Sequence, residues 1–269
     1  MAETYVYVGL QLFPKYIPKI MKRNIYKIPD LHIVRYIFVS LLFALTSVCS
    51  QAQTNNNNCF DFPFKPGDNV WNGLSVNERI NKLQIPEELV HNISTKDLLN
   101  ICLDFPYLLD VFFADDFQKG FESLLLEFNG FKELMTRDDL LETTISKMEE
   151  MSTSLERMEK TNNIEKGRFS FKWFVLEMIL AQDVIADKVI DDHLKLCINN
   201  LTIKKSHPSI FGRVNDVPTY LLLVKKELKN WIGSDKEYIF RDFINKPLQV
   251  DNEVINGLEQ TIKRIKHEK

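Results

Sequence analysis

Glycine is scarce in this chain, nine residues in 269, where ordinary usage is about 7%. With abundant Leu, Lys, Glu and Ile, that scarcity favours helix. Several chemistries are missing as well. There is no Gly-rich phosphate loop, no Gly-x-Ser-x-Gly elbow, no His-Glu-x-x-His and no Cys-x-x-Cys, so the sequence carries none of the short motifs that mark nucleotide, hydrolase, zinc-protease or thiol-redox sites. Excess positive charge is absent too, and no apolar run reaches the roughly 20 residues that a membrane-spanning helix needs.

The longest such run, Ile37 to Val48, is twelve apolar and small residues without a charge. It matches the apolar region of a secretory signal, and Ser50-Gln51-Ala52 places small residues where signal peptidase inspects the chain. Cleavage is expected between Ala52 and Gln53. Met21-Lys22-Arg23 opens a basic segment with Lys27 and Arg35, so residues 21–52 read as the signal peptide and residues 1–20 as an untranslated upstream extension. Cys49 permits a lipoprotein alternative, although Val48 sits where a lipobox needs a small residue. Gln53 to Asn58 reads as an exposed linker.

Removing residues 1–52 takes away six basic and two acidic groups and leaves 28 basic against 35 acidic, a net charge of −7. Nucleic-acid binding needs a basic stripe that this balance does not provide. An anionic membrane surface is disfavoured for the same reason. The expected product is an exported protein of the periplasm or cell surface, with no membrane span after cleavage.

Cys59-Phe-Asp-Phe-Pro-Phe alternates aromatics with Asp61 and Pro63 and reads as an extended arm that lays its rings on a helical body, linker and arm together spanning residues 53–72. A partner-binding strand is the alternative. Helical signals then dominate residues 73–269. Ser75-Val-Asn-Glu78 is a capping box and Ser94-Thr-Lys-Asp97 a similar start. Leu98, Leu99, Cys102 and Leu103 share a face, and Pro106 opens the next helix. Phe113, Phe117 and Phe121 step by four along a face, a stripe read as core rather than as a ligand box. Asn129-Gly130 breaks that helix. Asp138 to Lys160 reads as one amphipathic helix carrying Thr144, Met148, Met151, Leu155 and Met158. Arg168 to Asn200 is the longest helical signal, apolar on most sides in its first half and therefore central. Helices are also predicted from Val217-Pro218 to about Trp231, over 235–245 and over 251–267. The architecture expected is all-α in a single domain, an irregular helical bundle or a short helical solenoid.

One constellation could carry chemistry. Asp183, Asp187 and Asp191, with Asp192 and His193 beside them, would line one face of the 168–200 helix, and hard cations take such carboxylates. A polar flank paired with Lys188 and Lys195 is the plainer reading. Cys102 and Cys197 both lie among leucines on predicted core helices; in an oxidising compartment they form the candidate disulfide, and two free buried thiols are the alternative. No catalytic residue, metal ligand or cofactor is assigned. The function expected is a non-enzymatic exported helical module that binds another envelope protein or a surface polymer. A cation-dependent hydrolase using the aspartate row is the alternative.

The stretch Ile85-Pro86 to Phe113, continuing through Gln118 to Asp139, with its Ser94-Thr95, Cys102-Leu103-Asp-Phe105-Pro106, Gln118-Lys-Gly120-Phe121 and Phe128-Asn-Gly-Phe131 motifs, resembles a family of uncharacterised exported bacterial all-helical proteins. The likeness extends through Gln182-Asp183 and His207-Pro208-Ser-Ile-Phe-Gly212. It implies export to a bacterial envelope and an all-helical fold. It supplies no activity to carry over.

Overall fold

The computed structural model describes residues 60–248 and 250–267, and every regular element among them is a helix. The chain divides into two units, one holding Pro63–Arg79 and the other residues 60–62 together with residue 80 onward.

In the first unit the short helix α1 (Asn69–Gly73) buries Trp71. Phe64 meets that indole edge-on, ring centroids 6.0 Å apart, and the Arg79 guanidinium lies 4.8 Å from the indole centroid. Helix α2 (Val76–Lys82) starts at the predicted capping box. The Ser75 amide donates to the Glu78 carboxylate at 2.8 Å, and Ser75 Oγ accepts from the Glu78 amide, which satisfies donors left open by a helix start.

The second unit is an irregular helical bundle. Its first part holds α3 (Glu87–Val90), α4 (Thr95–Leu103), a 3₁₀ helix Leu108–Phe113, α5 (Phe117–Glu127) and α6 (Asn129–Leu134). Ser94 caps α4 as expected, accepting from the Asp97 amide at 3.2 Å, and Leu98, Leu99, Cys102 and Leu103 are all buried. The phenylalanine stripe needs correction. The chain leaves helix between Phe113 and Phe117, and Asp116 restarts it by accepting from the Lys119 amide at 2.8 Å. Phe117 and Phe121 are buried and Phe113 is exposed. The turn lets the 3₁₀ helix fold back onto α5 at Gly120, where an added Cβ would sit 2.4 Å from the Val111 carbonyl oxygen. Only glycine permits backbones to approach so closely. Around that contact the rings interlock: Phe105 stacks on Phe128 at 4.2 Å, and Phe131 meets both Phe121 and Phe128 edge-on. Phe62 reaches this cluster, 5.9 Å from Phe105 and 5.7 Å from Phe128.

Asn129 ends α5 as predicted and also ties the two ends of this part together. Its side-chain oxygen accepts from the Ile85 amide at 3.0 Å and its nitrogen donates to the Ile85 carbonyl at 2.7 Å. Gln84 answers in kind, accepting from the Asn129 amide and donating to the Glu127 carbonyl. Arg137 adds bonds to the Val90 and His91 carbonyls, and His91 contacts Glu133 at 2.9 Å.

The stretch expected as one helix over 138–160 is two, α7 (Leu140–Ser152) and α8 (Leu155–Glu159), separated by a turn at Thr153-Ser154. Thr144, Met148, Met151 and Leu155 are nevertheless buried. Helix α9 (Asn163–Leu180) starts earlier than predicted because Asn162 Oδ1 accepts from the Ile164 and Glu165 amides. Residues 173–180 are buried without exception, so α9 is the central helix of its unit. It packs against α7 and against α12 (Val217–Trp231). The expected continuation to Asn200 breaks into α10 (Asp183–Ala186) and α11 (Asp191–Ser206). A 3₁₀ helix Arg213–Asp216 leads into α12, followed by α13 (Asp235–Asn245) and α14 (Asn252–His267), close to the predicted bounds. No helix among the described residues is long and apolar enough to cross a membrane. The expected cleavage point at Ala52 and Gln53 lies outside the described residues, as do Cys49 and Cys59.

Candidate functional site

The aspartate row does not form. Asp183 opens α10, Asp187 stands at its C-cap, and Asp191 opens α11 after an extended residue at Ile190. The three carboxylates therefore share no helix face, and all three are exposed. Asp183 pairs with Lys225 Nζ at 2.7 Å, and Asp192 with Lys195 at 3.1 Å. His193 turns back to the helix start, its Nδ1 accepting from the Ile190 amide at 3.4 Å. Among the described residues no three His, Cys, Asp or Glu side chains gather as a metal site would require. The break has a cause outside its own sequence. Lys225 donates to the Ala181 carbonyl at 2.8 Å and Lys226 to the Ala186 carbonyl at 3.1 Å. These are carbonyls that helix ends leave open, and two lysines from α12 fill them.

The candidate disulfide is also absent: Cys102 and Cys197 are free, buried thiols. Burial raises both thiol pKa values, and the Glu177 carboxylate adds to the rise at Cys197. A thiol held protonated is a poor nucleophile, so both pack as small apolar groups.

The unanticipated feature lies in the core. Glu177 of α9 and Lys204 of α11 form an ion pair at 2.5 Å, with side chains only 1% and 2% exposed. Helix α9 directs Glu177 inward from the middle of an apolar run, one turn after Trp173, whose Nε1 donates to Glu177 Oε1 at 3.1 Å. Lys204 sits in the last turn of α11 and donates a second bond to the Asn215 carbonyl of the 3₁₀ helix, also at 2.5 Å. Asn215 is itself fixed. Its Oδ1 accepts from the Gly212 amide and the Ser170 hydroxyl, and its Nδ2 donates to the Ser170 carbonyl. Three segments of the unit thus converge on one buried charge pair. Phe211 and Phe169 flank the Trp173 ring at 5.4 and 5.9 Å.

Removal from water pushes the Glu177 carboxyl pKa up, and the Lys204 charge, the Trp173 N–H and the Thr219 hydroxyl oppose that rise. Thr219 faces the carboxylate but closes no hydrogen bond of normal geometry, and Asn200 Nδ2, also buried, has no partner. Asp216, at the edge of the cluster, is raised by burial and drawn back by Lys204 and Lys205. Tyr220 is raised by burial and then by the charge of Asp216. The arrangement is an acid, a base and an N–H donor in contact inside an aromatic shell.

Sequence reasoning passed over this pair, although a signal was present. Glu177 is the single charge between Trp173 and Gln182, and a charge within a fully buried run demands a partner. No protein-family model, curated protein or solved structure matches the chain.

Proposed function

We propose that this chain is an exported helical module that binds another envelope protein or a surface polymer, in the periplasm or at the cell surface of a bacterium. The carrying observation is one pair among its exposed apolar side chains. Val184 and Ile190, 59% and 58% exposed, lie on α10 and on the connection after it, in a segment that Lys225 and Lys226 of α12 tie down at the Ala181 and Ala186 carbonyls. A connection pinned by Lys225 and Lys226 presents those side chains on a fixed backbone, which lowers the ordering cost of binding. The signal-like segment 21–52 supports export, and the resemblance to exported helical proteins supports the same compartment.

The test is capture from bacterial envelope extract on immobilised protein spanning residues 53–269. A specific partner is expected, with retention weakened by Val184→Ser together with Ile190→Ser. Failure to retain any protein or polymer, alongside turnover of an envelope substrate, would overturn the reading in favour of an enzyme.

A further inference from the structure

Glu177 and Lys204 are placed for more than attraction. Lys204 Nζ lies against Glu177 Oε2, one bond from the carboxyl carbon, both side chains are nearly free of solvent, and each is oriented by a separate neighbour. We propose that Lys204 and Glu177 condense in the folded protein to an isopeptide bond between Nζ and Cδ, joining α9 covalently to α11.

The step balances without any added reagent. A proton passes from the Lys204 ammonium to Glu177 Oε2, giving a neutral amine and a neutral carboxylic acid. The raised Glu177 pKa runs in this direction. The Asn215 carbonyl holds one N–H of the amine, which leaves the nitrogen lone pair to attack Glu177 Cδ. Charge then develops on Oε1, where Trp173 Nε1 already donates. Such a donor, fixed before charge develops, stabilises an oxyanion. The Thr219 hydroxyl, which faces the carboxylate without a bond of normal geometry, relays the surplus nitrogen proton to Oε2. Oε2 departs as water. No group is oxidised or reduced.

Two features favour the product over the ion pair. Both orienting hydrogen bonds survive, since the amide N–H still faces the Asn215 carbonyl and the amide oxygen still faces Trp173. Two buried charges are replaced by one neutral amide, which removes the desolvation cost that makes buried ion pairs weak stabilisers. Holding amine and acid in contact in a dry site also raises their effective concentration far above that of free groups.

The experiment is intact mass spectrometry of the full chain, followed by tryptic mapping. The expected mass is lower than that of the chain by one water molecule. The map should contain a branched peptide joining 173–188 to 196–205, with no cleavage after Lys204. Lys204→Arg should restore the full mass of its own sequence. If that variant fails to fold by circular dichroism, Thr219→Val serves instead and should slow the water loss over time. An unshifted mass after prolonged incubation of folded protein would overturn the proposal. So would loss of one ammonia with a branch at Asn215, which would assign a different acceptor. Cyclisation of an amino-terminal Gln53 also releases ammonia, and it leaves the peptide 196–205 unbranched.

Discussion

Two buried parts of the bundle are built on opposite principles. Around α4, α5 and α6 the core is rings and aliphatic side chains, with Phe105, Phe121, Phe128 and Phe131 in mutual contact. Around α9, α11 and α12 an equally buried core encloses an acid, a lysine and an asparagine. In the first, stabilisation is spread over many small contacts, so the loss from any one change scales with the cavity left behind. In the second it is concentrated. Removing one partner leaves the other as an uncompensated charge.

The sharpest break in that comparison is expected from Lys204→Met, which strands Glu177. The loss should fall in the upper part of about 3–5 kcal/mol, measured by denaturant unfolding. The double variant Lys204→Met with Glu177→Leu should recover much of it, because an apolar pair of similar volume suits the same shell. A double variant as unstable as the single would show that the site behaves like the ring cluster.

Next in size is Phe121→Ala, expected to cost about 3–5 kcal/mol, with the low end favoured if neighbouring rings close in. Phe113→Ala should cost about 1 kcal/mol or less, as partly exposed positions do. Equal losses at the two positions would restore the unbroken phenylalanine stripe that the turn at 114–116 interrupts.

The smallest effect is electrostatic. Asp216 has its pKa raised by burial, so its neutral form suits the folded state better. That contribution is fully present below the unfolded aspartate value of about 3.9 and is lost as pH rises through the folded value. Its contribution to stability should therefore fall as pH rises from the ordinary aspartate range through the folded value, seen as a drop in melting temperature across that acidic range, and Asp216→Asn should shrink the drop. An unchanged drop would place the pH dependence elsewhere.

Local sequence was informative wherever a helix end is made by its own residues. Ser75 and Ser94 cap as their spacing demands, and the last three helices begin and end close to where Pro218, Gly233 and the basic finish of α14 suggest. It was uninformative where an end is made by another element. Nothing in Ala181 to Asp187 announces a break, because the groups that stabilise it are Lys225 and Lys226, some forty residues away. The misplaced aspartate row is a direct result: spacing by four has meaning only while the helix continues. The buried pair was half legible. Glu177 stands out in its apolar run, whereas Lys204, in Ile-Lys-Lys-Ser, looks like any surface lysine until the fold turns it inward.

The exchange between Gln84-Ile85 and Asn129 has a consequence for motion. Two stretches distant in sequence share four hydrogen bonds in which side-chain amides stand in for the rungs of a sheet. Opening either stretch exposes the backbone groups of both. Residues 84–91 and 127–137 should therefore open and close as a single cooperative unit, with Asn129 as its latch.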